Sequence, residues 1–298
     1  MSLNSHPRIL LLANHDISQV NEALRDLRPW FSERADIVAE PDVRKISRDD
    51  AGSLPEADVA VVLGGDGTLL AAARHLIDLQ LPFLGVNFGK LGFLAEFGND
   101  DLRHNWDSIV SGDCPTSQRV MLEVSLFDRR EDAIGERDGR YAFLGLNDAV
   151  ITAGPPFRMI ELELAINPAL YASSATRISC DGIIVSTPSG STAYNLAAGG
   201  PIVSPEAQVL GITPICPHSL AFRPIVVDGS NTICLNVCQA NEGTTLVIDG
   251  QESIRLEAGQ TVRIQRYPKR LSLIQNPDLN YWKVLAKKMH WAARPRRI

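Results

Sequence analysis

The sequence predicts an α/β N-terminal domain with a parallel sheet, followed by a β-rich, β-sandwich-like C-terminal domain. Three observations predict it. Over residues 1–119, unbroken apolar runs of strand length alternate with helical patterns, as in a sheet covered on both faces. Over residues 120–276, strand-length segments follow one another with turn residues between them. Where one early strand hands over to a helix lies Gly64-Gly65-Asp66-Gly67-Thr68, a glycine-rich turn with one carboxylate. Ligands bind at such carboxyl ends of parallel strands.

The elements follow in order. Residues 8–13 form an apolar strand, and residues 18–31 a helix with Val20, Leu24, Leu27 and Phe31 at helical spacing. A second buried strand covers 57–63, a helix 69–79, a third strand 82–86 and a helix 101–110 with Leu102, Trp106, Ile109 and Val110 apolar. Strand patterns then occupy 120–127, 141–152, 160–166, 225–227, 232–237, 245–248, 261–266 and 270–274. The charged loop 128–140 contains two glycines and reads as a hairpin tip. The basic amphipathic segment 280–291 carries Trp282, Leu285 and Met289. Such a helix suits a membrane surface or the protein's own surface; we read residues 277–298 as docking back on the N-terminal domain.

Length and composition narrow the function. The 298 residues suffice for one large or two ordinary domains. A net charge of -6 argues against nucleic acid as the main partner, because a phosphate backbone demands a basic face. The apolar run near the N-terminus is too short for a signal peptide or a membrane span, and no later run reaches span length. The five cysteines (Cys114, Cys180, Cys216, Cys234 and Cys238) lack zinc-ligand spacing and read as buried free thiols in a reducing cytoplasm.

The motifs carry the chemistry. In the first, Gly65 and Gly67 let the backbone approach a phosphate, and the helix start offers unpaired N–H groups to an anion. Asp66 fits two readings, a helix N-cap or a group that binds Mg²⁺ or takes a proton from an attacking hydroxyl. In the second, residues 181–186 run as an apolar strand into Thr187-Pro188-Ser189-Gly190-Ser191-Thr192-Ala193-Tyr194, followed by a short helix over 192–198 and Gly199-Gly200-Pro201. A capped helix explains Ser191 and the glycines. It leaves unexplained the hydroxyls of Ser186, Thr187 and Ser189, which suit phosphate or ribose oxygens, and Tyr194 offers an aromatic face to a base. Asn147-Asp148 interrupts the strand pattern 141–152, either as a bulge or as an amide and a carboxylate for ribose hydroxyls. His218 and Arg223 fit phosphate contact or a structural role, and Asp249-Gly250-Gln251 reads as a hairpin turn. The chain contains neither Gly-x-Gly-x-x-Gly nor the P-loop pattern.

In this order the glycine turn, the Asn-Asp pair, the 181–201 block, the Pro-His…Arg-Pro segment and Asp-Gly-Gln resemble the NAD kinase family over nearly the whole chain. The resemblance implies an NAD kinase-like two-domain fold with a cleft between the domains. It implies Mg²⁺-dependent transfer of a phosphoryl group from ATP to the 2′-hydroxyl of the adenosine ribose of NAD, in a homodimer or homotetramer whose subunits complete each other's sites. On that resemblance Asp66 is the general base or orients the hydroxyl and its metal, with no further protein cage for Mg²⁺. Asn147 and Asp148 hold adenine and ribose. Thr192, Ala193 and Tyr194 line the adenine pocket beside Ser189, Phe93 packs near the substrate, and Asp181 reaches the nicotinamide end. Arg177 and Gln251 join the nucleotide-binding set. Asp148 stands where most members have Glu, and Ser179-Cys180 where many bacterial members have a larger charged residue, which leaves the preference between NAD and NADH open. Two other readings share the glycine turn or the nucleotide site: a lipid or sphingoid kinase, and a nucleotide sensor without catalysis.

Overall fold

The computed structural model describes residues 3–89, 92–134, 139–168, 176–219 and 221–289. The chain divides into two compact units, Met1–Gln118 with Leu271–Ile298, and Arg119–Arg270. In chain order the first unit contains β1 (Arg8–Ala13), α1 (Ser18–Ser32), β2 (Asp36–Ala39), β3 (Val59–Leu63), α2 (Asp66–Leu76), β4 (Pro82–Val86), α3 (Asn99–Ser111) and β5 (Thr116–Arg119). The second contains β6 (Leu122–Phe127), α4 (Arg130–Ile134), β7 (Tyr141–Gly145), β8 (Asp148–Thr152), β9 (Ile160–Ile166), β10 (Thr176–Cys180) and β11 (Gly182–Ser186). It continues with α5 (Tyr194–Ala197), β12 (Val209–Ile215), β13 (Ile225–Asp228), β14 (Ile233–Gln239), β15 (Thr245–Ile248), β16 (Glu252–Arg255) and β17 (Thr261–Arg266). The chain then returns to the first unit with β18 (Leu271–Ile274) and α6 (Tyr281–Met289).

The sheet of the first unit runs β2-β1-β3-β4-β18-β5, with parallel pairing from β2 through β18. Every residue of β3 and β4 is buried, which is why these strands read as unbroken apolar runs rather than alternations. The stripe of α1 buries Val20, Leu24, Leu27 and Phe31. Phe31, Trp30 and Trp106 of α3 meet edge-on at 5.1–5.4 Å. Helix α2 begins at Asp66, three residues before the predicted start, because the glycine turn itself supplies its first turn. Leu271–Ile274, grouped by sequence with the β-rich region, is instead a strand beside β4, pairing Leu273 with Phe83. Its apolar character suits either sheet, so only long-range pairing decides between them.

The second unit holds two six-stranded antiparallel sheets, β10-β9-β14-β17-β6-β7 and β13-β12-β11-β8-β15-β16. Their facing side chains form one core, with Val124, Leu162, Leu235 and Val262 of the first against Ile151, Ile183, Val185 and Leu246 of the second. Residues 141–152 are therefore not one strand with a bulge. Gly145 ends β7 in one sheet, Asp148 begins β8 in the other, and Leu146-Asn147 is the crossing. The predicted hairpin tip contains the short helix α4, and the predicted helix 192–198 is a 3-10 turn, Ser189–Thr192, followed by the single turn α5. Strands β2 and β5 of the first unit and β10, β12 and β16 of the second had no separate sequence expectation. Of the five cysteines, all free, Cys114, Cys180 and Cys234 are buried, whereas Cys216 is exposed and Cys238 half-buried. Among the described residues no helix is long and apolar enough to cross a membrane.

Candidate functional site

In the first unit the chemistry gathers where β3 and β4 end side by side, Leu63 opposite Val86. Gly64 adopts φ +152°, and a Cβ there would lie 2.4 Å from Thr68 Oγ1. The N-cap of α2 is Gly65, so Asp66 is the first helical residue and not the cap. Its carboxylate instead receives three backbone amides from the segment after β4. Phe93 N donates to Oδ2 at 2.8 Å, while Leu94 N and Ala95 N donate to Oδ1, each at 3.0 Å. A carboxylate offers about four lone-pair sites, which leaves one on Oδ2. Gly92 makes this approach geometrically feasible, since a Cβ there would sit 2.0 Å from Asp66 Oδ1. Gly85 lets the same segment lie on β4, where a Cβ would be 2.8 Å from Ala95 Cα. Open space faces Gly65, with no atom within 4 Å of where its Cβ would be, and Gly67 is exposed. Phe93 is half-buried under α6, its ring 6.1 Å from that of Tyr281 and 4.3 Å from Lys288 Nζ. Val284 and Leu285 bury the apolar side of α6.

In the second unit one end of the second sheet assembles another group. The start of β8, the end of β11 and the end of β15 meet there, with Asp148 across from Ser186 and Ala149 across from Ile248. Asp249 and Gly250, at φ +51° and +68°, make the tight turn from β15 to β16. The Asp249 carboxylate accepts Leu146 N at 2.9 Å, Asn147 N at 2.7 Å and Asp148 N at 3.1 Å. Thr187 braces the same crossing: its N–H donates to Asn147 O and its hydroxyl to Leu146 O, while Oγ1 accepts Gly190 N. A Cβ on Gly190 would lie 2.1 Å from Asn147 O, so the hydroxyl-rich turn packs directly on the Asn-Asp pair.

Within that turn the hydroxyls divide by role. Ser191 bonds to Pro188 O and Val203, and Asn195 ties Ser191 O, Pro201 O and the Thr213 hydroxyl together, both as internal braces. Ser189 Oγ is buried without a hydrogen-bond partner, a state that a bound polar group would satisfy. Thr192 and Ala193 are half-buried beside it, and Tyr194 is 48% exposed. Asp148 is only 4% exposed, and burial, with the adjacent charge of Asp249, pushes its carboxyl up to about 7. Gln251 is exposed just beyond the Asp-Gly turn.

Two expected residues lie elsewhere. Asp181 is exposed at the opposite end of the five-residue β11, about 16 Å from the Ser186 end at strand rise. Arg177 projects from β10 in the other sheet, paired with Glu161 at 3.3 Å and Glu163 at 3.9 Å. His218 lies near Asp181, its N–H bonded to Ser179 O. The sequence reading missed Gly92 and Asp249. Gly92 stands in an unremarkable loop, and Asp249 in a dipeptide whose hairpin signal hides any second role.

Both groups sit in regions that match known family models. Residues 33–114 match the ATP-NAD kinase N-terminal domain, and residues 146–276 the ATP-NAD kinase C-terminal domain. The chain is 36% identical over 288 residues to the NAD kinase of Rhodopirellula baltica, covering 97% of this chain and 88% of that protein. It is 43% identical over 248 residues to the NAD kinase of Geotalea daltonii, covering 83% and 82%. Among solved structures, it resembles yeast NADH kinase complexed with NADH at a TM-score of 0.79 and 21% identity, covering 99% and 90%. It also resembles an NAD kinase from Archaeoglobus fulgidus in complex with ATP, at 0.68 and 23%, covering 95% and 98%.

Proposed function

This chain belongs to the NAD kinase family, and we propose that it transfers the γ-phosphoryl group of ATP to the 2′-hydroxyl of the adenosine ribose of NAD, forming NADP. The observation that carries the mechanism is the Asp66 carboxylate, anchored by three amides with one lone-pair site of Oδ2 left over. A ribose hydroxyl is a poor nucleophile, so phosphoryl transfer depends on in-line positioning and charge neutralisation. Oδ2 accepts the hydroxyl proton and aims the oxygen at phosphorus. The open space before Gly65 and the start of α2 receive phosphate oxygens.

Asn147 and Asp148 take the adenine and ribose, with Thr192, Ala193 and Tyr194 around the base, Ser189 Oγ bonding to it and Gln251 at the margin; Phe93, whose amide holds Asp66, packs near the substrate. The Asp148 carboxylate accepts ribose hydroxyls in its ionised form. Asp181 lies at the far end of β11 and Arg177 on β10 of the other sheet, both away from the Asn147–Asp148 group, which favours their serving the nicotinamide end of a neighbouring subunit's dinucleotide within a homodimer or homotetramer. We place the enzyme in the cytoplasm on its composition.

Mg²⁺ fits this donor set through the nucleotide. Among the described residues no group of three or more His, Cys, Asp or Glu side chains converges on a metal position. Mg²⁺ commonly keeps few protein ligands and binds substrate phosphates, and here it would be held by the phosphate oxygens of the nucleotide, since the one lone-pair site left on Asp66 Oδ2 takes the hydroxyl proton. When bound, the ion neutralises phosphate charge.

The test is a coupled assay with purified enzyme, Mg²⁺ and ATP, offering NAD, NADH and diacylglycerol separately and measuring NADP(H) or phospholipid. NADP formation is expected. Phospholipid formation, or NAD binding without ATP consumption, would overturn the reading.

A further inference from the structure

We infer that Asp249 is a positioning residue for the dinucleotide site, holding the Leu146–Asp148 crossing so that the side chains of Asn147 and Asp148 face the ligand. The inference rests on the reading of Asn147 and Asp148 as NAD contacts. The crossing is where backbone amides most need help. A chain leaving one sheet for another loses its ladder partners, and buried amides must find others. Asp249 accepts all three successive amides, at 2.9, 2.7 and 3.1 Å. The clasp is reciprocal, since Asp249 N donates to Asp148 O at 3.0 Å. It is also enclosed: Asp249 is 9% exposed and sits at φ +51° in the three-residue turn 249–251 between β15 and β16.

The residue type is informative. A hairpin turn of this kind accepts Asn as readily as Asp, and Asn would bring no charge near Asp148. Asp is present despite the like-charge repulsion. Only a carboxylate offers two acceptor oxygens, one for Leu146 N and one shared by Asn147 N and Asp148 N. With Asn in its place, the side-chain amide nitrogen would confront one of these N–H groups. The arrangement parallels Asp66, which holds the amides of residues 93–95 in the first unit in the same way.

The test compares full-length wild type with Asp249→Asn and with the milder Gly250→Ala. Gly250 sits at φ +68° with open space before it, so alanine strains the turn without a clash. Hydrogen exchange of the amides of residues 146–148 reads the clasp, and steady-state kinetics read its consequence. In Asp249→Asn, exchange there accelerates and KM for NAD rises about tenfold or more, while kcat and KM for ATP stay within about twofold. Gly250→Ala moves the same parameters less. Should Asp249→Asn fail to fold, Gly250→Ala carries the test alone. Faster exchange with unchanged KM for NAD would reduce Asp249 to a structural staple and overturn the inference, as would unchanged exchange. Wild-type enzyme that neither binds nor phosphorylates NAD would refute the site reading itself, whereas the exchange data would still report whether the clasp exists.

Discussion

Replacing Asp148 with asparagine should make the protein more stable and a poorer enzyme, and the pH dependence of the gain identifies its cause. In the native state burial, then the Asp249 charge, raises the Asp148 carboxyl from 3.8 to about 7. The unfolded chain releases the same proton near the ordinary carboxylate value. Between these values the native state binds the extra proton, so stability falls as pH rises from about 4 to about 7 and the loss is complete above that. The difference corresponds to a native-state penalty on the order of 4 kcal/mol at pH 8. The asparagine side chain has the same shape without the charge. Its advantage should be near zero at about pH 4, grow through about pH 7 and then level off, reaching a Tm gain on the order of 10 °C. Thermal melts of wild type and Asp148→Asn across this range measure it. Activity should move oppositely: KM for NAD rises in the variant, and in the wild type it falls about tenfold from pH 6 to pH 8 as the carboxylate ionises. A variant no more stable at pH 8, or equally advantaged at every pH, would refute the assignment of a buried, reluctant charge at residue 148.

Other perturbations separate the remaining parts of the site. Asp66→Asn should retain a folded protein and NAD binding but lower kcat by about 10²–10⁴-fold, measured by coupled assay; because it also places an amide donor against backbone N–H groups, faster exchange at residues 93–95 should accompany the loss. Gly92→Ala drives a methyl into Asp66 Oδ1, and its kcat should fall with little change in the KM for NAD, whereas wild-type turnover would show that the 92–95 segment is free to shift. Gly190→Ala pushes on Asn147 O, so calorimetry should find weakened NAD binding. Chelation of Mg²⁺ should abolish turnover and leave Tm unchanged, because the described residues build no metal cage of their own; a large drop in Tm would point to a structural ion.

The pattern of buried strands and amphipathic helices made the first unit legible, since each α/β step is local and its period is written in consecutive residues. The glycine turn was legible for the same reason. Less of the second unit could be read this way. Asn147-Asp148 read as an interruption of one strand, because neighbouring residues do not record which sheet each half joins. Leu271–Ile274 is apolar enough for either unit, and pairing with Phe83, far earlier in the chain, settled its place.

By itself, then, the sequence determined the two kinds of architecture and which residue types are equipped for phosphoryl transfer, because propensity, hydrophobic period and turn chemistry act over a few residues. Only the tertiary structure decided how those groups are held: three amides on Asp66, three on Asp249, a bare oxygen on Ser189, a reluctant charge at Asp148 and the distance of Asp181 from that cluster. Hydrogen bonding and desolvation depend on atoms brought together from positions far apart in the chain, and local sequence carries no term for such meetings.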